Sequence, residues 1–302
     1  FKAAVDAGVR TFMNSFNTLD EIPATGHKHI QRNILKGDWG FDGFIVSDWG
    51  SIEQMIPHGF ARDGNHAAEL AVIAGSDMDM ESSLYVSELV GLVKSGKVNI
   101  ELIDDAVRRI LRVKYELGLF DDPYKYCNID RSNNELASDE NMKVALEAAK
   151  KSIVLLKNNN QLLPLEKQGE KIAIIGPLAN DKNSPLGNWR SQAVYNSASS
   201  VLEGMKNYNQ NKLVFEKGVD LYYGKTNFHN RVKLNFDDRT GFDKAKLAAE
   251  NSDIVIMVLG EEGNQSGEGR SRTNIGLPGL QLELLKEIYK INQNIVLVVM
   301  SG

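Results

Sequence analysis

Cysteine is almost absent. The single Cys127 in 302 residues excludes an internal disulfide and any cysteine-based metal cluster, while leaving the redox compartment open. Histidine is scarce too: there are five, and His27 and His29 stand two apart rather than at the HExxH spacing that sets two imidazoles on one helix face. No metal site and no cofactor are expected. No apolar run approaches the roughly 18–20 residues of a membrane span, so no membrane partner is expected. Positive charge is not in excess; a formal net charge of −5 offers no basic field to hold nucleic acid. Phosphate-cradling glycine loops are missing as well. GxxxxGK[ST] does not occur, and Gly267 and Gly269 open a GxGxxG whose third position is Arg272, which disfavours a nucleotide-binding protein.

What is present is ordinary globular usage, 42% hydrophobic and 25% charged, enough for one large core or two moderate ones. The start, Phe1 to Asp6, has no initiator Met and no signal-peptide layout, and the end, Ile295 to Gly302, stops where a strand would run into a loop. The chain therefore reads as an internal piece of a longer protein.

The stretch Gly43 to Trp49 stands out. Phe44, Ile45 and Val46 form a short apolar run typical of a buried parallel strand, and it ends abruptly in Ser47 and Asp48. A carboxylate at the C-terminal end of such a strand lies where α/β folds bind ligands. Trp49 adds a flat apolar face, and that pairing suits a sugar ring, whose C–H faces stack while its hydroxyls need polar partners. The plainer reading is that Asp48 only caps the next turn or helix.

Around this stretch the pattern alternates. A helix over 2–8, a strand over Val9 to Met13, a helix over Ile30 to Leu35, the strand at 44–46, a helix over 67–73 and a third short strand at 76–80 follow in order. Alternation of this kind implies parallel strands with right-handed crossovers, in a barrel or a doubly wound sheet. Helices over 86–93 and from Asn99 to Leu117 come next, and residues 121–135, turn-rich and aperiodic, read as a linker. Beyond it are a helix over Asp139 to Lys151 and a strand-like run over Ile153 to Leu156. Strands at 171–175, 253–260 and 294–300 alternate with helices at 200–207, 242–249 and 278–291, a second α/β unit. Residues 208–240 give no clear pattern.

The last of these strand exits but one opens into a polar loop, Glu261 to Arg272, with Glu268 between Gly267 and Gly269. It reads either as a solvated loop or as a glycine-hinged one that presents a carboxylic acid to a site.

Taken together, these stretches resemble glycoside hydrolase family 3, the exo-acting β-glucosidases and β-xylosidases. Met13-Asn14-Ser15-Phe16-Asn17 with Ile22-Pro23-Ala24 resembles the family's Met-x-Ser-Tyr-Asn segment, and Trp39-Gly40-Phe41 through Ser47-Asp48-Trp49 its WGFxGxVVSDW signature. Ala74 to Met78, Arg109 to Phe120, Ser152 to Leu165, Ile175-Gly176-Pro177 and Ser266-Gly267-Glu268-Gly269 resemble further family segments in the same order. The resemblance implies the C-terminal part of an (α/β)8 barrel over 1–120, a linker over 121–135, and an incomplete α/β sandwich over 136–302.

It also implies a retaining mechanism on an oligosaccharide or β-glycoside substrate. Asp48 would be the nucleophile and Glu268 the acid/base, with carboxyl groups about 5–5.5 Å apart in the productive state. One carboxylate per domain would put the site where the domains meet. Trp49 and Met13 are expected to line the sugar site. Phe16 stands where the family often has Tyr, so a hydroxyl beside the nucleophile is missing. Lys28 and His29 read as surface, because the family's sugar-binding Lys-His pair belongs to an earlier segment. A periplasmic or secreted location is what the family suggests. The fragment alone is expected to be weakly active or inactive, and the rival reading is a catalytically incompetent carbohydrate-binding or structural relative.

Overall fold

The computed structural model describes residues 1–302 apart from Asn160, Gln192, Asn209, Phe228 and His229. Its contacts divide the chain into two units, Phe1–Lys150 and Lys151–Gly302. Both are α/β.

In the first unit α1 (Lys2–Asp6) runs out at Gly8, whose φ of +87° a residue without Cβ adopts freely. The chain then enters β1 (Thr11–Met13), makes a small hairpin of β2 (Thr18–Leu19) and β3 (Ile22–Pro23), winds through a wide helix over His29–Asp38 and reaches β4 (Phe44–Val46). β1 and β4 pair in parallel, with Thr11 beside Phe44 and Met13 beside Val46. Beneath them Leu35, Phe41 and Ile45 form a core closed by Val5, Val9, Phe12 and Trp39.

The third strand expected at 76–80 is reduced to one parallel bridge, Val46 to Met78. The reason is Asp77. Its backbone N–H donates to Ile45 O at 2.8 Å, but the Ile45 N–H is taken by the Asp77 carboxylate, also at 2.8 Å, so a side chain replaces the ladder partner.

Four helices follow: α2 (Ser51–Gln54), α3 (Gly64–Ala74), α4 (Leu84–Lys94) and α5 (Ile100–Glu116). Asp63 caps α3 by accepting the His66 N–H, and Asn99 caps α5 by accepting the Glu101 N–H. Small residues let α3 be buried on two sides. Ala67 and Ala71 meet Ile52 and Met55, while Ala68 and Val72 meet Leu92 and Val98.

The turn-rich stretch after α5 is exposed, yet it holds α6 (Ile129–Glu135), begun by Asn128, whose side chain accepts the Arg131 N–H. After α7 (Asp139–Ser152), the run Ile153 to Leu156 does not form the expected strand; it is exposed and has no place in the four-stranded ladder that follows. Apolar β-branched residues favour extended backbone, but a strand exists only with a partner.

The second unit contains β5 (Lys171–Ile175), α8 (Val201–Tyr208), β6 (Lys212–Glu216), α9 (Phe242–Glu250), β7 (Ile254–Gly260), α10 (Gln281–Ile291) and β8 (Ile295–Met300). The strands form one parallel sheet in the order β6-β5-β7-β8. Alternate residues explain the unbroken apolar runs. Ala173, Ile175, Val255, Met257 and Leu259 pack on α9 and α10, whereas Ile172, Ile174, Ile254, Ile256 and Val258 pack toward Leu202 of α8 and toward Leu178 in the loop after β5. A sheet covered on both faces needs apolar side chains at every position.

Candidate active site

The exits of β1 and β4 and the 76–80 stretch lie side by side through the register Met13, Val46, Met78. One step further on are Asn14 and Ser47, both buried. Asn14 donates its backbone N–H to Val46 O at 3.0 Å and its side-chain amide to Ser76 Oγ at 2.7 Å. Ser47 donates its N–H to Met78 O at 2.8 Å, while its hydroxyl accepts the Met80 N–H at 2.8 Å and donates to Asp48 O at 3.0 Å. The strand exit is thus laced to its neighbours immediately before Asp48.

Asp48 itself is half-buried, and its Oδ1 accepts the Trp49 N–H at 2.7 Å. It does not cap the next helix. Gly50, at a φ of +65°, occupies the N-cap of α2, and its N–H reaches across to Met80 O. Trp49 is 64% exposed, Met13 57% and Met78 43%. Single exposed apolar residues are ordinary, but here three large ones share the rim that carries a carboxylate.

Beneath this rim is a charged support that the sequence did not reveal. Lys36, on the wide helix, places Nζ 2.6 Å from Asp77 Oδ1 and 2.9 Å from Gly75 O, and both side chains of the pair are almost fully buried. Desolvation lowers the Lys36 pKa to about 8, against the attraction of Asp77. Arg109 of α5 donates to the carbonyls of Phe41 and Gly43, the turn that leads into β4, and pairs with Asp105. Arg32 donates to the carbonyls of Val72 and Ile73 and also pairs with Asp105. Nothing in the sequence marks Asp77 for this role, because its partners are 32 and 41 residues away and no local pattern joins them.

In the second unit β7 ends at Gly260, with φ of +137°, where an added Cβ would stand 1.9 Å from Met300 O. Only glycine fits there. Beyond it, Glu261 pairs with Arg272, so the residue that spoils the phosphate motif holds the two ends of this loop together. Glu262 is buried: it accepts from Thr226 Oγ1 at 2.7 Å and from the Asn264 N–H at 2.9 Å, forming a capping box with Gln265. From this fixed base the chain rises to Gly267 (φ +104°), Glu268 and Gly269 (φ +68°), and Glu268 is exposed. A polar cavity of about 1000 Å³ opens at the exits of β5, β6 and β7, with Asp181, Tyr222, Thr226 and Glu262 among its walls.

Met13, Asp48 and Trp49 are therefore brought together at one sheet edge of the first unit, and Glu268 is carried by a glycine-flanked loop of the second. Lys28 and His29 are exposed, as read. Among the described residues no group of three or more His, Cys, Asp or Glu side chains is placed to hold a metal ion, and no helix is long and apolar enough to cross a membrane.

Residues 1–113 match the family model described as the glycosyl hydrolase family 3 N terminal domain, and residues 153–302 the one described as the glycosyl hydrolase family 3 C-terminal domain. The chain is 38% identical over 314 residues to a periplasmic beta-glucosidase of Salmonella typhimurium, covering 100% of this chain and 41% of that protein. It is 35% identical over 318 residues to a beta-xylosidase of Formosa agariphila, covering 100% of this chain and 42% of that protein. Among solved structures, a beta-glucosidase from Listeria innocua superposes with a TM-score of 0.85 at 34% identity, over 100% of this chain and 39% of that one; its complex with glucose gives a TM-score of 0.84. The chain thus spans 41–42% of the length of these two curated relatives.

Proposed function

The chain belongs to glycoside hydrolase family 3, and from that premise we propose that it carries the catalytic pair of a retaining, exo-acting β-glycosidase that removes terminal β-D-glucosyl or xylosyl residues. In this reading residues 1–120 are the C-terminal part of an (α/β)8 barrel, 121–135 a linker and 136–302 an incomplete α/β sandwich. The beta-glucosidase and beta-xylosidase names of the relatives support the substrate class. The name of the Salmonella relative supports a periplasmic or secreted setting.

One observation supports the chemistry most: Asp48 stands at a parallel-strand exit, its carbonyl held by the Ser47 hydroxyl and its carboxylate by the Trp49 N–H, on the rim that exposes Trp49 and Met13. The Trp49 amide holds Oδ1, so Oδ2 attacks the anomeric carbon as Glu268 gives its proton to the departing oxygen. The C1–O bond breaks, a glycosyl ester forms on Asp48, and the aglycone leaves as an alcohol. Glu268, now ionised, takes a proton from water, which attacks C1 and restores Asp48. Trp49 and Met13 supply apolar contact to the ring faces.

The test is an assay of the full-length native polypeptide on aryl β-glucoside and β-xyloside. Asp48→Asn is expected to lose roughly 10³-fold or more in turnover, about 4 kcal/mol of barrier. Normal turnover by that variant would remove Asp48 from the mechanism. The 302 residues alone, which span 41–42% of the two curated relatives, are expected to turn over weakly, since positioning of the glycone is a large part of the barrier reduction.

A further inference from the structure

We propose that Lys36 and Asp77 are positioning residues for the nucleophile: their buried ion pair holds β4 in the register that presents Asp48, and turnover depends on its staying charged. The proposal rests on the reading of Asp48 as nucleophile. Its own ground is a continuous set of hydrogen bonds within the first unit.

Asp77 works with both oxygens. Oδ1 accepts from Lys36 Nζ at 2.6 Å and Oδ2 from the Ile45 N–H at 2.8 Å, so the carboxylate joins the wide helix to the middle of β4. From Ile45 the lacing continues: Ile45 O accepts from Asp77 and Met78, the Ser47 N–H reaches Met78 O, and the Ser47 hydroxyl ties Met80 to Asp48 O. Asp48 is three residues beyond the strand position that Asp77 grips.

Lys36 is faced by Asp77 from the 76–80 stretch, by Arg109 and Asp105 from α5, and by Arg32 on its own helix; Tyr85 of α4 interacts with Asp77 and Asp79 and donates to Ser76 O. Neither arginine can replace Lys36. Arg109 is committed to the carbonyls of Phe41 and Gly43 and to Asp105, and Arg32 to those of Val72 and Ile73 and to Asp105. If Lys36 loses its proton, the Asp77 carboxylate is left buried without its counter-charge, and the cost of that is relieved only by movement of the group that holds β4.

Lys36 titrates at about 8 in the fold and at 10.5 in the open chain. The unfolded state therefore binds this proton more tightly between those values, so this group makes folding stability rise, not fall, from pH 8 to 10.5. Loss of turnover in that window is then a matter of position rather than of unfolding.

The experiment uses the full-length native polypeptide carrying Glu268→Ala, with 2,4-dinitrophenyl β-glucoside, whose leaving group needs no proton. Removing the acid removes its own ionisation from the profile. The glycosylation rate is expected to be level from neutral pH to pH 8 and then to fall about tenfold per pH unit, while the melting temperature does not follow it. Adding Lys36→Met with Asp77→Asn keeps an amide oxygen for the Ile45 N–H, removes both charges, and is expected to give a profile level through pH 10. Lys36→Met alone, which strands the carboxylate, is expected to lower kcat about 100-fold with KM little changed. The same alkaline fall in the doubly neutralised variant, or an unchanged kcat in a folded Lys36→Met protein, would overturn the positioning role. Absence of hydrolysis by the unsubstituted protein would instead overturn the glycosidase reading on which it rests.

Discussion

Gln281 and Gly260 are joined through both backbone groups of the glycine: the Gly260 N–H donates to Gln281 Oε1 at 2.9 Å, and Gln281 Nε2 donates to Gly260 O at 2.8 Å. The side chain, fully buried at the start of α10, thereby fixes the point where β7 becomes the Glu268 loop. Gln281→Leu keeps the volume and takes this partner from three backbone groups, the Gly260 N–H, the Gly260 carbonyl and the Pro278 carbonyl. Its expected cost is about 2–4 kcal/mol in denaturant unfolding of the second unit, more than an ordinary core substitution of equal size.

Gly267 tests the loop itself. An added Cβ would stand 2.5 Å from Asn188 Oδ1, at a φ of +104° that alanine adopts poorly. Because the loop is exposed, Gly267→Ala is expected to leave the melting temperature nearly unchanged while lowering kcat on glycosides with poor leaving groups. Activated aryl glycosides, which need little acid assistance, should be hardly affected.

Trp49 is exposed and contributes little to the core, so Trp49→Ala should change unfolding free energy by less than about 0.5 kcal/mol. If its face meets the sugar ring, KM should rise about tenfold, which steady-state kinetics on one aryl glycoside would show.

Much of the fold was legible because burial imposes pattern. Ile172 to Ile175 and Ile254 to Gly260 are unbroken apolar runs since both faces of the sheet are covered, and the stripe of α5 follows from its one packed side. Where the physics is non-local, the letters are silent. Lys212–Glu216 is an edge strand, only half-buried, and its short apolar run Leu213 to Phe215 is flanked by lysine and glutamate beside a stretch rich in Asn and Lys, so it does not stand out. Ile153 to Leu156 shows a run and forms no strand, because no strand among the described residues pairs with it. Asp48 could be picked out by its place at a strand end; the Lys36–Asp77 pair that supports it could not, since its partners are 41 residues apart and look like a helix lysine and a turn aspartate.

Acid should expose the second charged support. Burial pushes the Asp105 carboxyl up, but the Arg109 hydrogen bond and charge outweigh it, with help from Lys36 and Arg32, and hold it below its usual value. A depressed carboxylate adds stability above its unfolded pKa of 3.8 and loses it as pH falls through the folded value. Asp105→Asn should therefore destabilise the protein at pH 6, and the difference from the parent should shrink as pH falls below 3.8 and through the folded value, as chemical denaturation over a pH series would show.

The division of labour between Asp48 and Glu268 is tested most directly by the anomeric configuration of the glycosyl azide formed when each is removed in turn from the full-length polypeptide. With an activated β-glucoside and azide, Asp48→Gly should give the α-azide, because azide takes the place of the missing nucleophile. Glu268→Ala should give the β-azide, because azide attacks the ester on Asp48 from the face that water would use. The same configuration from both variants, or no azide adduct from either while hydrolysis continues, would contradict the assignment.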